Sequence, residues 1–186
     1  MNQRNFPRWV GFAAILFSGL YFLSDAIETV QGGFSDPQLT LTLVGEAAVP
    51  FFVVGLYLAQ RPKIGRLGLI SAIAYAYSYV FFTGTVIYVI ANGTENYQQL
   101  IAELGPSMSV HGAIMVFAGI GFSIAVIRAR VLPAWSGLAL MVGVVAVAAT
   151  QTSPEGVALA AAGIRAAAFA GMGFALLVAR PTKSTR

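Results

Sequence analysis

The chain has 186 residues, of which 58% are hydrophobic and 10% charged, with a formal net charge of +4 and no cysteine. Such a composition excludes an ordinary water-soluble fold, and the lack of cysteine removes disulfides, thiolate metal sites and thiol nucleophiles together. The positive balance gives no support to a nucleic-acid partner, because the basic residues sit at the ends of apolar segments, where they face anionic lipid.

In chain order, apolar segments cover residues 9–30, 39–59, 67–91, 108–127, 135–150 and 157–179. Most reach the roughly 20 residues that a helix needs to cross about 30 Å of hydrocarbon, and the fifth is slightly short. The sequence therefore predicts an all-α polytopic membrane bundle, with residues 1–186 as a single six-helix transmembrane domain. The first segment follows Arg4 and Arg8 as a secretory signal would, but it is long, carries Asp25 and Glu28 and lacks a small-x-small cleavage site. It reads as a retained helix. Two longer polar connections, residues 31–38 and 92–106, are each either a lid or a plain link, and Tyr97–Leu104 is suited to a short interfacial helix. Asn92, Gly93 and Thr94 form a glycosylation triplet of a kind common by chance.

Ten of the eleven Lys and Arg residues lie at one set of segment ends: Arg4, Arg8, Arg61, Lys63, Arg66, Arg128, Arg130, Arg180, Lys183 and Arg186. By the positive-inside rule both termini are expected in the cytoplasm. The acids Asp25, Glu28, Asp36, Glu46, Glu95, Glu103 and Glu155 then fall in the outer half. Residues 121–128 (Gly-Phe-Ser-Ile-Ala-Val-Ile-Arg) match residues 173–180 (Gly-Phe-Ala-Leu-Leu-Val-Ala-Arg), and Trp9 and Trp135 open similar segments. The six spans thus read as three similar hairpins, N-in and C-in.

Arg165 is the exception among the bases, since it lies inside an apolar segment. Glu46 precedes Arg61 by 15 residues, Arg165 precedes Arg180 by 15, and His111 precedes Arg128 by 17, while Asp25 is 16 beyond Trp9. At about 1.5 Å per residue, these four positions share one layer to within roughly 3 Å. Ionised groups in hydrocarbon cost at least a few kcal/mol, so they are expected to face one another or a wet cavity. Glu28 shares a helical face with Asp25. Pro50, four residues after Glu46, leaves the Glu46 carbonyl without its helical donor and favours a kink. Arg165 is expected to form a bidentate pair with Glu46 or Asp25, with Glu46 preferred from its equal register. Tyr21, Phe22, Phe51, Tyr75 and Tyr79 are the expected lining of an apolar substrate pocket below the carboxylates.

Each feature also has a plain structural explanation. Asp25 and Glu28 can lie at the wet interface, Glu46 and Arg165 can be an interhelical tie, His111 an interfacial residue and the tyrosines packing or anchors. No metal site is expected, with one histidine and no HExxH, and no cofactor, since Gly119 and Gly121 lie in an apolar helix without the rest of a nucleotide fingerprint.

The Arg-x-Arg-x-Leu-Pro-x-Trp-x-Gly junction at residues 128–137 resembles that of small six-helix integral membrane proteins of bacteria. The resemblance implies fold size and a place in the bacterial cytoplasmic membrane, and it carries no catalytic residue. In site chemistry the chain is similar to small integral-membrane terpene cyclases, an analogy without an aligned motif. The expected function is an acid–base enzyme acting on a lipophilic, terpenoid or prenylated substrate, as a protonation-initiated cyclase or isomerase. Asp25 and Glu46 would handle protons, Glu28 and His111 would assist, and Arg165 would hold one acid ionised. A proton-coupled transporter, which would open to both sides, and a ligand-binding or accessory subunit remain alternatives, with membrane lipids and a lipophilic small molecule as the expected partners.

Overall fold

The computed structural model describes residues 5–151 and 153–179, so Arg4, Arg180, Lys183 and Arg186 lie outside the described residues. The described chain is all-α. It runs α1 (Phe6–Gln31), α2 (Asp36–Ala59), α3 (Gly65–Asn92), α4 (Tyr97–Leu104), α5 (Pro106–Ala129), α6 (Ala134–Ala149) and α7 (Glu155–Val178). Proline marks the start of α1, α2, α5, α6 and α7, where a missing N–H costs nothing. Gly32 and Gly93 end α1 and α3 in left-handed conformation, donating their N–H groups to the Glu28 and Val89 carbonyls. The helix expected at Tyr97–Leu104 is present as α4, capped by the Asn96 side chain, which accepts from the Gln99 N–H.

Five of the helices, α1, α2, α3, α5 and α7, are long and apolar enough to cross a bilayer, as befits a multi-pass membrane protein. The sixth expected span corresponds to α6, which has 16 residues and rises only about 24 Å. That is short of about 30 Å of hydrocarbon. The proline at position 50 lies inside α2, which continues as helix on both sides of it.

Neighbours in sequence are neighbours in space, and α7 returns to pack on α1, so α1, α2, α3, α5, α6 and α7 close a six-membered ring. Contacts at the small residues show the antiparallel sense. Val10 lies against Gly55 and Tyr21 against Gly45; Gly11 meets Gly173, and Phe22 meets Gly163. At Gly11 the approach is closest: a Cβ there would stand 2.5 Å from the Gly173 carbonyl oxygen. Only glycine permits this α1–α7 distance, because packing in lipid depends on close backbone approach.

The ring has two unlike ends. Arg8, Arg61, Lys63, Arg66, Arg128 and Arg130 gather at one, while the acids occupy the half towards the other. Near the basic end the interior is filled by Val53, Leu56, Ala125, Val126, Met172 and Leu176. Outward faces carry large apolar side chains, among them Phe117, Ile70 and Phe51, the last 80% exposed. A bilayer would cover them. Buried serines satisfy their hydroxyls within their own helices, as Ser78 does on the Ala74 carbonyl and Ser123 on that of Gly119.

The α1–α7 seam yields a packing prediction. Gly173→Val forces the helices apart and is expected to cost about 1–3 kcal/mol. Gly19→Ala, at a position with open space around it, is expected to be neutral or slightly stabilising. Thermal unfolding of both variants in detergent checks the contrast.

Candidate functional site

A cavity of about 150 Å³ occupies the acid half of the ring. Its walls follow from helical spacing. Tyr21, Asp25 and Glu28 project from one face of α1, and Gln38, Thr42 and Glu46 follow one another at four-residue steps on α2. Phe82, Thr85, Val86 and Val89 supply the α3 wall, Met108 and Met115 that of α5, and Val147 and Gln151 that of α6, while Arg165 enters from α7. Tyr97 and Leu100 of α4 reach in from the end of the ring.

Glu46 is ten residues beyond Asp36 and Arg165 ten beyond Glu155, so both lie about 15 Å from the acid end, towards the middle of their helices. They share the depth that the sequence suggests, although Arg180, the reference for Arg165, is outside the described residues. They do not pair. Arg165 Nη2 instead approaches Asp25 Oδ2 at 3.6 Å, and its guanidinium lies 4.6 Å from the centre of the Tyr21 ring. At that distance the ion pair is a single charge contact and not the expected bidentate one. The reason is helix order: α7 packs on α1, and α1 stands between α7 and α2.

Tyr21 joins the two sides. Its ring faces Arg165, and its hydroxyl donates to Glu46 Oε1 at 2.8 Å. Two glycines make this possible. A Cβ on Gly45 would fall 2.9 Å from the Tyr21 Cβ, and one on Gly143 would fall 2.7 Å from the Arg165 nitrogen. Backbones therefore meet closely beside both residues, bringing Glu46 to Tyr21 and pressing α6 onto α7.

The α1–α2 wall of the cavity is rich in acceptors. Gln38 Nε2 donates to Glu28 and to the Thr42 hydroxyl, which leaves Gln38 Oε1 as the remaining acceptor. Glu46 Oε2 and Gln38 Oε1 are buried and have no hydrogen-bond partner. Both residues line the cavity and are 5% and 2% exposed. Such groups are rare unless something occupies the space before them. Above them, the Phe34 N–H donates to the Glu95 carbonyl at 3.0 Å, tying the two longer connections together at the mouth, and the Thr94 hydroxyl donates to Glu103, holding α4 to the second of them. Burial first, and Glu46 and Glu28 second, push the Tyr97 hydroxyl above its ordinary value, which keeps this mouth residue neutral.

Several sequence expectations are corrected here. His111 does not line the cavity; it stacks on Phe81 at 3.7 Å, with Tyr77 and the Ser107 carbonyl on its two nitrogens, at the α3–α5 surface. It lies only five residues into α5, so it is shallower than the Glu46 layer. Phe51 points outward. Phe22 and Tyr79 line a separate void of about 10 Å³, room for one water at most, and Tyr75 is packed against Tyr79 and Phe169. The aromatic layer is consequently solid, and the open space lies above it, among the acids. Asp25, Glu28, Glu46, Arg165 and Tyr21 are brought together as expected. Among the described residues no three acids or histidines form a metal-ligand group. Gln38, Thr42, Thr85 and Tyr97 belong to the site without having been singled out from the sequence; four-residue steps back from Glu46 point to the first two.

Pairing can be tested by double-mutant cycles on thermal stability. Arg165→Met and Asp25→Asn are each expected to destabilise, towards the 3–5 kcal/mol (about) of a broken buried pair, and to be milder in combination. Glu46→Gln is expected to couple to Tyr21→Phe and to be nearly additive with Arg165→Met.

No family model, curated protein or solved structure matches this chain.

Proposed function

We propose that this protein is a membrane-embedded acid–base enzyme that works on the end of a lipophilic substrate, of the protonation-initiated isomerase or cyclase type. The observation that carries the proposal is Glu46: a deeply buried carboxyl with one oxygen fixed by Tyr21 and the other unpartnered before an open cavity. A general acid needs such an arrangement, an oriented group with a free oxygen where substrate sits. In this reading Glu46 delivers a proton from Oε2 to an alkene carbon, Phe82 and the Tyr21 edge shield the resulting cation from water, and Glu28 at the mouth accepts the proton lost. Asp25 is held by Arg165 and keeps that base neutralised, which makes it a positioning residue for Tyr21 and Arg165.

Volume limits the substrate. A space of about 150 Å³ is like one that accepts benzene, so it takes roughly one isoprene unit and not a whole terpenoid. The remainder of a prenylated molecule would extend through the mouth past Tyr97 and Gln151. The same reading has the basic end in the cytoplasm, six spans including the short α6, and three hairpins of one orientation, N-in and C-in, in the cytoplasmic membrane of a bacterium. A one-sided cavity above an apolar plug of Leu56, Val126 and Met172 favours an enzyme over a carrier, which must also open the plugged half.

Two experiments test these points. Glu46→Gln is expected to lower conversion of a short prenylated substrate at least a hundredfold, a loss typical of a removed general acid, while circular dichroism stays unchanged. In heavy water the wild type is expected to place deuterium on a product carbon; full turnover by Glu46→Gln would sink the mechanism. For topology, a cysteine at position 63 of this cysteine-free chain is expected to label only from the cytoplasmic side and one at position 95 only from outside.

A further inference from the structure

We infer that the acid-half cavity is a receptor for one compact organic cation, of about five to seven heavy atoms, carried by an ammonium group or generated as a carbocation in place. The inference rests on the reading of this cavity as the working site, and it names the charge of what occupies it.

Four observations lead there. Three carboxyl side chains, Asp25, Glu28 and Glu46, line the cavity against one guanidinium, Arg165. Arg165 is already engaged, with Asp25 at 3.6 Å and the Tyr21 ring beneath it. Of the buried side-chain atoms without a hydrogen-bond partner, the two on residues that line the cavity are Gln38 Oε1, an acceptor, and Glu46 Oε2, an acceptor once its proton has left. On the α1–α2 wall that carries them the hydrogens are already committed: Gln38 spends its amide hydrogens on Glu28 and Thr42, and Tyr21 spends its hydroxyl hydrogen on Glu46. A ligand complementary to this wall brings positive charge and hydrogen-bond donors, and it brings no anion.

Shape agrees with charge. Phe34, Phe82 and Tyr97 stand around the same space, and aromatic faces attract cations more strongly where water is excluded. The volume of about 150 Å³ suits a small branched ammonium and excludes a polyamine or a choline lipid headgroup with its phosphate inside the cavity. A neutral substrate protonated by Glu46 satisfies the same wall, because the proton leaves a carboxylate beside a tertiary carbocation of equal and opposite charge.

Binding of isobutylammonium and tetramethylammonium to the purified protein in detergent, by calorimetry, against isobutanol and tert-butanol as neutral comparators, tests the inference. The ammonium ions are expected to bind at least tenfold tighter than the alcohols. Glu46→Gln and, independently should that variant fold poorly, Gln38→Met are expected to remove at least a tenfold share of that preference. Asp36→Asn, which deletes an exposed charge at the same end of the molecule, is expected to leave it unchanged. Equal binding of ammonium and alcohol, or an undiminished preference in both cavity variants, overturns the inference. Competitive inhibition by the ammonium ions of prenyl conversion identifies the cation as one formed in the reaction. Ammonium binding with no conversion of any prenyl substrate supports the cation site and removes the isomerase reading. Conversion without any ammonium preference does the reverse.

Discussion

A guanidinium buried near the middle of an apolar helix is the constraint around which this molecule is arranged. Arg165 cannot remain in hydrocarbon unneutralised, and along α7 it has only apolar and small neighbours, so its counter-charge must come from another helix. Asp25 provides it, one helix away across the α1–α7 seam. The seam can close because Gly11 and Gly173 meet backbone to backbone, and α6 can press on the same segment because position 143 has no side chain. A charge requirement in one residue is thus met through glycines in three helices.

Tyr21 carries that arrangement across to α2. Its ring neutralises part of the Arg165 field while its hydroxyl fixes Glu46, so one side chain determines which carboxyl is paired with a cation and which is left with an open oxygen. The division has chemical consequences. Two acids at similar depth acquire different environments, the circumstance in which one group holds charge and another moves a proton. Gln38 strengthens the difference by turning its amide hydrogens towards Glu28 and Thr42.

The unlike halves of the ring reinforce the same asymmetry. An apolar interior near the basic end excludes water from below, and the tied connections and α4 narrow the entrance from above. Between them is a space about the size of one isoprene unit, bounded by acceptors on the α1–α2 side and by Phe82, Val86 and Met115 opposite. Acceptors on the α1–α2 side and these apolar side chains facing them orient whatever enters, as a few placed polar groups do in a small-molecule site.

Run length, helix punctuation and charge order along the chain are enough to show that it is helical and suited to a membrane, where most helices begin and end, and that bases and acids separate to opposite ends. Those properties are local: they depend on apolar run length, on proline and glycine at helix termini, and on charges counted along the chain. The sequence also determined the depth of Glu46 and Arg165, because rise per residue is fixed. What it left open was azimuth and neighbour order. Glu46 and Arg165 share a depth, yet only tertiary packing decided that α1 intervenes and gives the partnership to Asp25. Phe51 and Tyr79 are equally aromatic, and only their direction of projection, outward for one and into the solid core for the other, decided that neither lines the large cavity. His111 shows the same limit, since a residue count gave it roughly the right half of the membrane while packing against Phe81 turned it from the interior. A helix rotates by about 100° per residue, so an apolar sequence with weak amphipathicity specifies depth closely and facing hardly at all.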